Sequence, residues 1–249
     1  MENMLFLWKI ACILIISPYA SEAASLVCYK GSIRDFKELS LKESPQFVAK
    51  DLSDALEGMN SRGFNIDSLY LIGHSEGAHL AGNVGKNLKK SGITISRITG
   101  LDPAKPAIEN FLKKGDADMV DCVHTDPNSF GTNKAIGDID FWVNYGCKVQ
   151  PGCQKNAVPF TPPFLCSHKR ALRYMAEAIL NSSLQGRKAA TYEEFTQSSD
   201  TPDLNNVNIV GSDIKPSVTG NFYLCTNAEP EYGRGPAGMN PSSCTCPTT

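Results

Sequence analysis

Five consecutive residues constrain this chain more than any others: Gly73-His74-Ser75-Glu76-Gly77. A strand-like apolar run, Ser68 to Ile72, leads into them, and a helix-like run from His79 to Leu88 follows. A strand that turns sharply into a helix needs small residues on both sides of the turn, because the backbone there is strained and close-packed. A serine at the apex is held out at the C-terminal edge of a sheet, near a helix N-terminus that favours negative charge. The five letters alone are a weak signal, since a glycine-rich turn with a surface serine reads the same way. The setting between strand and helix makes Ser75 a candidate nucleophile.

The flanking sequence predicts what surrounds that turn. Ser44-Pro45 is a helix start, with proline at the first helical position. Val48, Leu52, Ala55, Leu56 and Met59 then line one helical face, and Gly63 lies beyond its end. Strands are expected at Ile93–Thr99, Met119–His124 and Ile139–Val143, and a helix at Arg170–Asn181, where Leu172, Met175 and Ile179 share a face. Strand and helix alternate from about residue 45 to 125, which predicts an α/β fold with a mostly parallel sheet and flanking helices. Cys147–Cys166 reads as loop, residues 184–216 are polar with no element assigned, and Ser217–Thr226 reads as a late strand. After Pro230 the composition is that of a loop held by a disulfide. The length of 249 residues suits one larger domain. The net charge of −2 supplies no basic field, which argues against nucleic acid as a partner.

A nucleophilic serine needs a base, and the base needs an orienting carboxylate. On strand–turn–helix hydrolases the order along the chain is serine, acid, histidine. Asp102, in Leu101-Asp102-Pro103, follows the next expected strand and takes the acid's place. Of the four histidines only His124 and His168 come after it. His124 lies inside an expected strand, where a core or hydrogen-bonding role is commoner. His168 is expected on a loop beside Cys166, just before a helix, and is the better candidate base.

The N-terminus carries a second message. Met4 to Ser17 is apolar apart from Lys9, and Ser21 and Ala23 follow at cleavage-site spacing. Residues 1–23 therefore read as a signal peptide, leaving 24–249 as one domain that is secreted and extracellular. Of nine cysteines, removal of Cys12 leaves eight, an even number that suits disulfides in an exported chain. A Cys122–Cys147 bridge is one expectation. There is no Cys-x-x-Cys pair, so no zinc site is expected. Asn181-Ser182-Ser183 is an acceptor sequence for glycosylation at Asn181.

Five segments together carry a resemblance: Tyr70–Gly82, Ile98–Ala104, Val123–Asp126, Gln150–Cys153 and Cys166–Arg170. In this order they resemble the pancreatic-lipase-like family, which includes triacylglycerol lipases and the arthropod phospholipases A1. The resemblance covers about residues 45–233. It implies an α/β-hydrolase fold that cleaves lipid esters through an acyl-serine, with Ser75, Asp102 and His168 as nucleophile, acid and base. The backbone N–H of Glu76 would be an oxyanion-hole donor. A lid closed by Cys153–Cys166 would carry Phe160 and Phe164 and meet a membrane or micelle surface. Its twelve residues, 154–165, make it shorter than the lid of the triacylglycerol lipases, which suits the bulky headgroups met by the phospholipases A1.

The sequence also departs from the family. The helix at Pro45 is preceded by fewer residues than the family has there, so the domain reads as N-terminally shortened, lacking the first strands and the His-Gly motif that adds an oxyanion donor. Glu76 stands where an apolar residue is usual, and Asp138 where a histidine is common. Leu112–Asp116 does not match the calcium ligands of the lipases, so no metal or cofactor is expected, and no colipase-type partner is implied. These departures leave two alternatives open: a catalytically inactive lipid-binding or storage-type homologue, and a truncated form of a full-length lipase.

Overall fold

Pro45 opens the first helix, as its missing N–H and preset φ favour. The computed structural model describes residues 12–15, 25–28, 45–105, 111–127, 129–159, 161–198 and 201–246. Helix α1 (Pro45–Ser61) is followed by β3 (Tyr70–His74), α2 (Glu76–Lys90), β4 (Arg97–Leu101), β5 (Met119–His124), β6 (Ile139–Val143) and α3 (Cys166–Leu180). Two short strands, β1 (Cys12–Ile15) and β2 (Ser25–Cys28), form a separate antiparallel ribbon. Of the expected leader, residues 1–11 and 16–23 lie outside the described residues.

The main sheet has seven strands in the order β3-β4-β5-β6-β9-β7-β8, with β7 at Gln185–Lys188, β8 at Val207–Ile209 and β9 at Gly220–Leu224. From β3 to β9 the neighbours are parallel; β7 and β8 run antiparallel at one edge. The chain thus has the mostly parallel α/β sheet that its alternating pattern predicts, in the α/β-hydrolase architecture that the resemblance implies. Residues 184–216, which have no clear periodicity, supply β7, helix α4 (Tyr192–Gln197) and β8. They are held by the sheet edge and by Thr191, whose hydroxyl caps α4 at Glu194 N–H.

Strand alternation builds the two faces of the core. Leu71, Ile98, Val120 and Cys122 pack with Val48, Leu56, Leu80, Val84 and Leu88 of α1 and α2. Ile72, Leu101, Val123, Phe141 and Phe222 pack with Ala171, Tyr174, Met175 and Ala178 of α3. Because both faces are covered, the central strands are buried along nearly their whole length, and the polar residues they carry, Arg97, Thr99, Asp121, His124 and Asp140, are buried too. One buried charge is fully paired: Arg97 forks onto Asp121 at 2.7 and 3.0 Å, donates to Gly211 O and lies 4.5 Å above the Tyr70 ring.

Several expectations need correction. The strand expected at Ile93–Thr99 pairs only from Arg97 to Leu101; Ile93 and Ile95 alternate because they cap the core below it, not because they join a ladder. Cys122 does not bridge to Cys147. It is a free thiol, carried by β5 into the core beneath α2, and burial pushes its pKa well up. Cys147, on the loop after β6, pairs instead with Cys246, and Cys225 pairs with Cys244. Two bridges therefore hold the tail after Pro230, where one was expected. Cys153–Cys166 is formed, as the family resemblance implies.

Candidate active site

The three candidate residues stand at the C-terminal ends of β3 and β4 and at the start of α3. Ser75 takes φ 57° and ψ −124° between β3 and α2, a conformation costly for a residue with a Cβ. The flanking glycines permit it. A Cβ on Gly73 would lie 2.2 Å from Gly77 O and 2.6 Å from Ala78 N, so only hydrogen fits there. Glu76 is the first residue of α2, so its N–H has no partner within the helix. Glu76 itself is half-buried.

Asp102 also adopts positive φ, 41°, and is completely buried. Its Oδ1 accepts the N–H groups of Thr125 at 2.8 Å and Asp126 at 2.9 Å. Its Oδ2 accepts His168 Nδ1–H at 2.6 Å. A carboxylate can only accept, which assigns the proton to Nδ1 and leaves Nε2 with a free lone pair. That Nε2 is buried with no hydrogen-bond partner, so the Ser75 hydroxyl is not yet bonded to it. Catalytic hydrogen bonds are commonly loose before substrate binds. The strand that leads to Ser75 nevertheless meets His168 directly: His74, next to Ser75, donates Nε2–H to His168 O at 3.0 Å, with the two rings 4.5 Å apart. Burial, then the neighbouring His168, pushes the His74 pKa down to about 4, so it is neutral around pH 7.

His168 is not on a loop, as its polar neighbours suggest. It lies in the first turn of α3, which begins at Cys166. Cys-Ser-His has no apolar periodicity to reveal a helix, and the Cys153–Cys166 bridge and the bond from Lys169 N–H to Leu165 O set the start. His124, by contrast, sits in β5 as expected of a core histidine, bonded to Asp140 at 2.7 Å and stacked on Trp142.

Four residues near the site escape sequence reasoning. Asp126 is buried beside Asp102, and burial followed by that charge raises its pKa to about 7. Gly131 lets the chain approach the acid, since a Cβ there would lie 2.5 Å from Asp102 Oδ1. Phe130 lies 5.3 Å from the His168 ring and edge-on to Phe164 at 5.5 Å, joining the base to the expected lid. Gln150 is buried between the segment that follows β5 and the first turn of α3. In the 154–165 segment Val158, Pro162 and Pro163 are exposed and Phe164 is half-buried; Phe160 lies outside the described residues. At the unmatched calcium segment, Asp116 accepts Lys113 N–H and pairs with Lys86 at 3.1 Å. Asp138 accepts Val120 N–H at 3.0 Å.

Comparison with known proteins decides the family. The lipase family model matches residues 20–232. The chain belongs to the lipase family. It is 40% identical over 154 residues to lipase member H-B of Xenopus laevis, covering 59% of this chain and 33% of that protein. It is 35% identical over 204 residues to pancreatic triacylglycerol lipase of Oryctolagus cuniculus, covering 70% and 43% of the two chains. With pancreatic lipase-related protein 2 of Rattus norvegicus the identity is 36% over 203 residues, covering 71% and 42%. The lipase-family match therefore spans less than half the length of these relatives. They assign it to the pancreatic-lipase-like family without selecting a branch.

Proposed function

We propose that this lipase-family chain is a secreted serine esterase of lipid esters. The observation that carries the reading is the buried Asp102–His168 pair at 2.6 Å, whose Nε2 is unpartnered, together with a serine held at positive φ directly after His74, whose ring bonds and meets His168. Ser75 Oγ attacks the ester carbonyl and His168 Nε2 takes its proton. Asp102 stabilises the imidazolium that results. The tetrahedral oxyanion is met by the N–H of Glu76, and the proton then passes to the leaving alcohol. Water, activated by the same imidazole, releases the fatty acid from Ser75.

The short 154–165 segment favours a phospholipase A1-like preference over triacylglycerol hydrolysis, since it leaves room for a polar headgroup. Val158, Pro162 and Pro163 give it an apolar exposed face suited to a lipid surface. Residues 1–23 act as the export signal on this reading, in keeping with three disulfides among the described residues and an exposed Asn181 open to glycosylation. One observation favours a lipid-binding homologue without catalysis: Glu76, the residue whose N–H would be the oxyanion donor, is itself acidic, and a negative charge in that first turn opposes an oxyanion.

A fluorophosphonate probe tests the proposal. Ser75 becomes covalently labelled in the folded chain, and labelling disappears in His168→Ala. Folded protein that resists the probe but binds mixed phospholipid vesicles would establish the binder instead. Release of fatty acid from phosphatidylcholine faster than from a triacylglycerol emulsion supports the phospholipase preference; the reverse order removes it.

A further inference from the structure

Gln150 opens the motif Gln150-Pro-Gly-Cys153; Cys153 closes the lid segment, but neither the triad nor the lid explains Gln150. Its side chain is 3% exposed yet fully bonded. Nε2 donates to Thr125 O at 2.9 Å and Val143 O at 2.8 Å. Oε1 accepts Asn144 Nδ2 at 2.7 Å and the Tyr174 hydroxyl at 2.9 Å. Those four contacts use the whole donor and acceptor capacity of an amide. The backbone N–H of Gln150 also donates to Ser167 Oγ at 2.9 Å.

The partners give these bonds their meaning. Thr125 O and Asp126 N–H are opposite edges of one planar peptide unit. Asp126 N–H bonds Asp102 Oδ1 at 2.9 Å, so Gln150 grips the far edge of the plane whose near edge holds the acid. Ser167 directly precedes His168, whose Nδ1–H bonds the other oxygen of Asp102 at 2.6 Å. Gln150, the 125–126 peptide, Asp102, His168 and Ser167 thus close a ring of hydrogen bonds. Tilting the amide would move acid and base relative to each other.

We propose that Gln150 is a positioning residue that sets the orientation of Asp102 toward His168. It touches no substrate and acts only through the 125–126 peptide and the first turn of α3, which it joins. The kinetic consequence depends on the hydrolase reading above; the geometric one does not. A plain core amide would stabilise the chain equally well but would leave the His168–Asp102 bond indifferent to it.

The test uses the full chain in three variants. Gln150→Glu keeps size and acceptor capacity but removes amide donation toward Thr125 and Val143. Ser167→Ala removes the acceptor for the Gln150 backbone. Thr226→Val is the control, because Thr226 bonds Asn144 at 2.8 Å and Tyr174 at 2.9 Å in the same network without touching Gln150. Two readouts are taken: the proton resonance of His168 Nδ1–H, and the rate of fluorophosphonate labelling at Ser75 per folded chain. Gln150→Glu is expected to shift or broaden the resonance and slow labelling about 10²-fold, the usual cost of a misplacement near 1 Å. Ser167→Ala changes both in the same direction by less, and Thr226→Val lowers the melting temperature while leaving both unchanged.

An unaltered resonance in folded Gln150→Glu overturns the proposal. So does an equal loss in Thr226→Val. If Gln150→Glu does not fold, Ser167→Ala decides, and an unmoved resonance there overturns it. If wild type is never labelled but its resonance responds to Gln150→Glu and not to Thr226→Val, the positioning role stands and the hydrolase reading falls.

Discussion

Asp102→Asn separates geometry from chemistry at this site. Two backbone donors, Thr125 and Asp126, converge on Oδ1, so the oxygen of the asparagine stays on them. Its NH2 group then faces His168 Nδ1, which must accept and so moves the imidazole proton to Nε2. A protonated Nε2 cannot take a proton from Ser75. The expected loss is about 10⁴ in the rate of acylation, equivalent to about 5.4 kcal/mol of transition-state stabilisation. The fold should survive, because one charge-assisted bond among the three to this side chain is lost, worth about 1.5–3 kcal/mol. The assay is the rate of Ser75 labelling by a fluorophosphonate at pH 7–8, with circular dichroism and a thermal melt on the same sample. Folded Asp102→Asn protein that labels within about tenfold of wild type would refute the reasoning, since no tautomer control of that weakness fits a bond of 2.6 Å.

Other expectations follow from particular contacts. Asp126, with its pKa raised to about 7, binds its proton more tightly folded than unfolded. Its stabilising contribution is therefore complete below about pH 4 and lost as pH rises through about 7. Asp126→Asn should raise the melting temperature relative to wild type at pH 8 and much less at pH 4.5; an equal difference at both pH values removes that account. Gly73→Ala drives a methyl into backbone atoms of Gly77 and Ala78, and should cost about 3 kcal/mol in urea unfolding together with loss of labelling. Asp121→Ala strands the buried Arg97 guanidinium and should cost about 3–5 kcal/mol in the same assay, without moving the His168 resonance.

Much of the fold could be read from local pattern. Helix α1 begins at Pro45, as predicted, because the proline and the apolar face from Val48 to Met59 are local signals. Strands β5 and β6 have the expected limits because short apolar runs buried on both faces leave few other readings. The region from 184 to 216 was opaque for the opposite reason. Its strands are short, at a sheet edge, and stabilised by partners distant in sequence. The helical start at Cys166 was hidden for a similar reason, being set by a disulfide rather than by periodicity.

The chain's own residues determined that a serine would stand at a strained strand-to-helix turn, with an acid after the next strand and a histidine beside a cysteine. These are short-range matters of glycine spacing and apolar runs. Only the tertiary structure decided that Cys122 stays a thiol while Cys147 reaches Cys246, because pairing depends on which loops meet in space. Only there do Asp126, Phe130, Gly131 and Gln150 gather around Asp102 and His168. Asp126, Phe130 and Gly131 come from the connection between β5 and β6 and Gln150 from the one after β6, and all are held by burial and by hydrogen bonds that exist only once the sheet has formed.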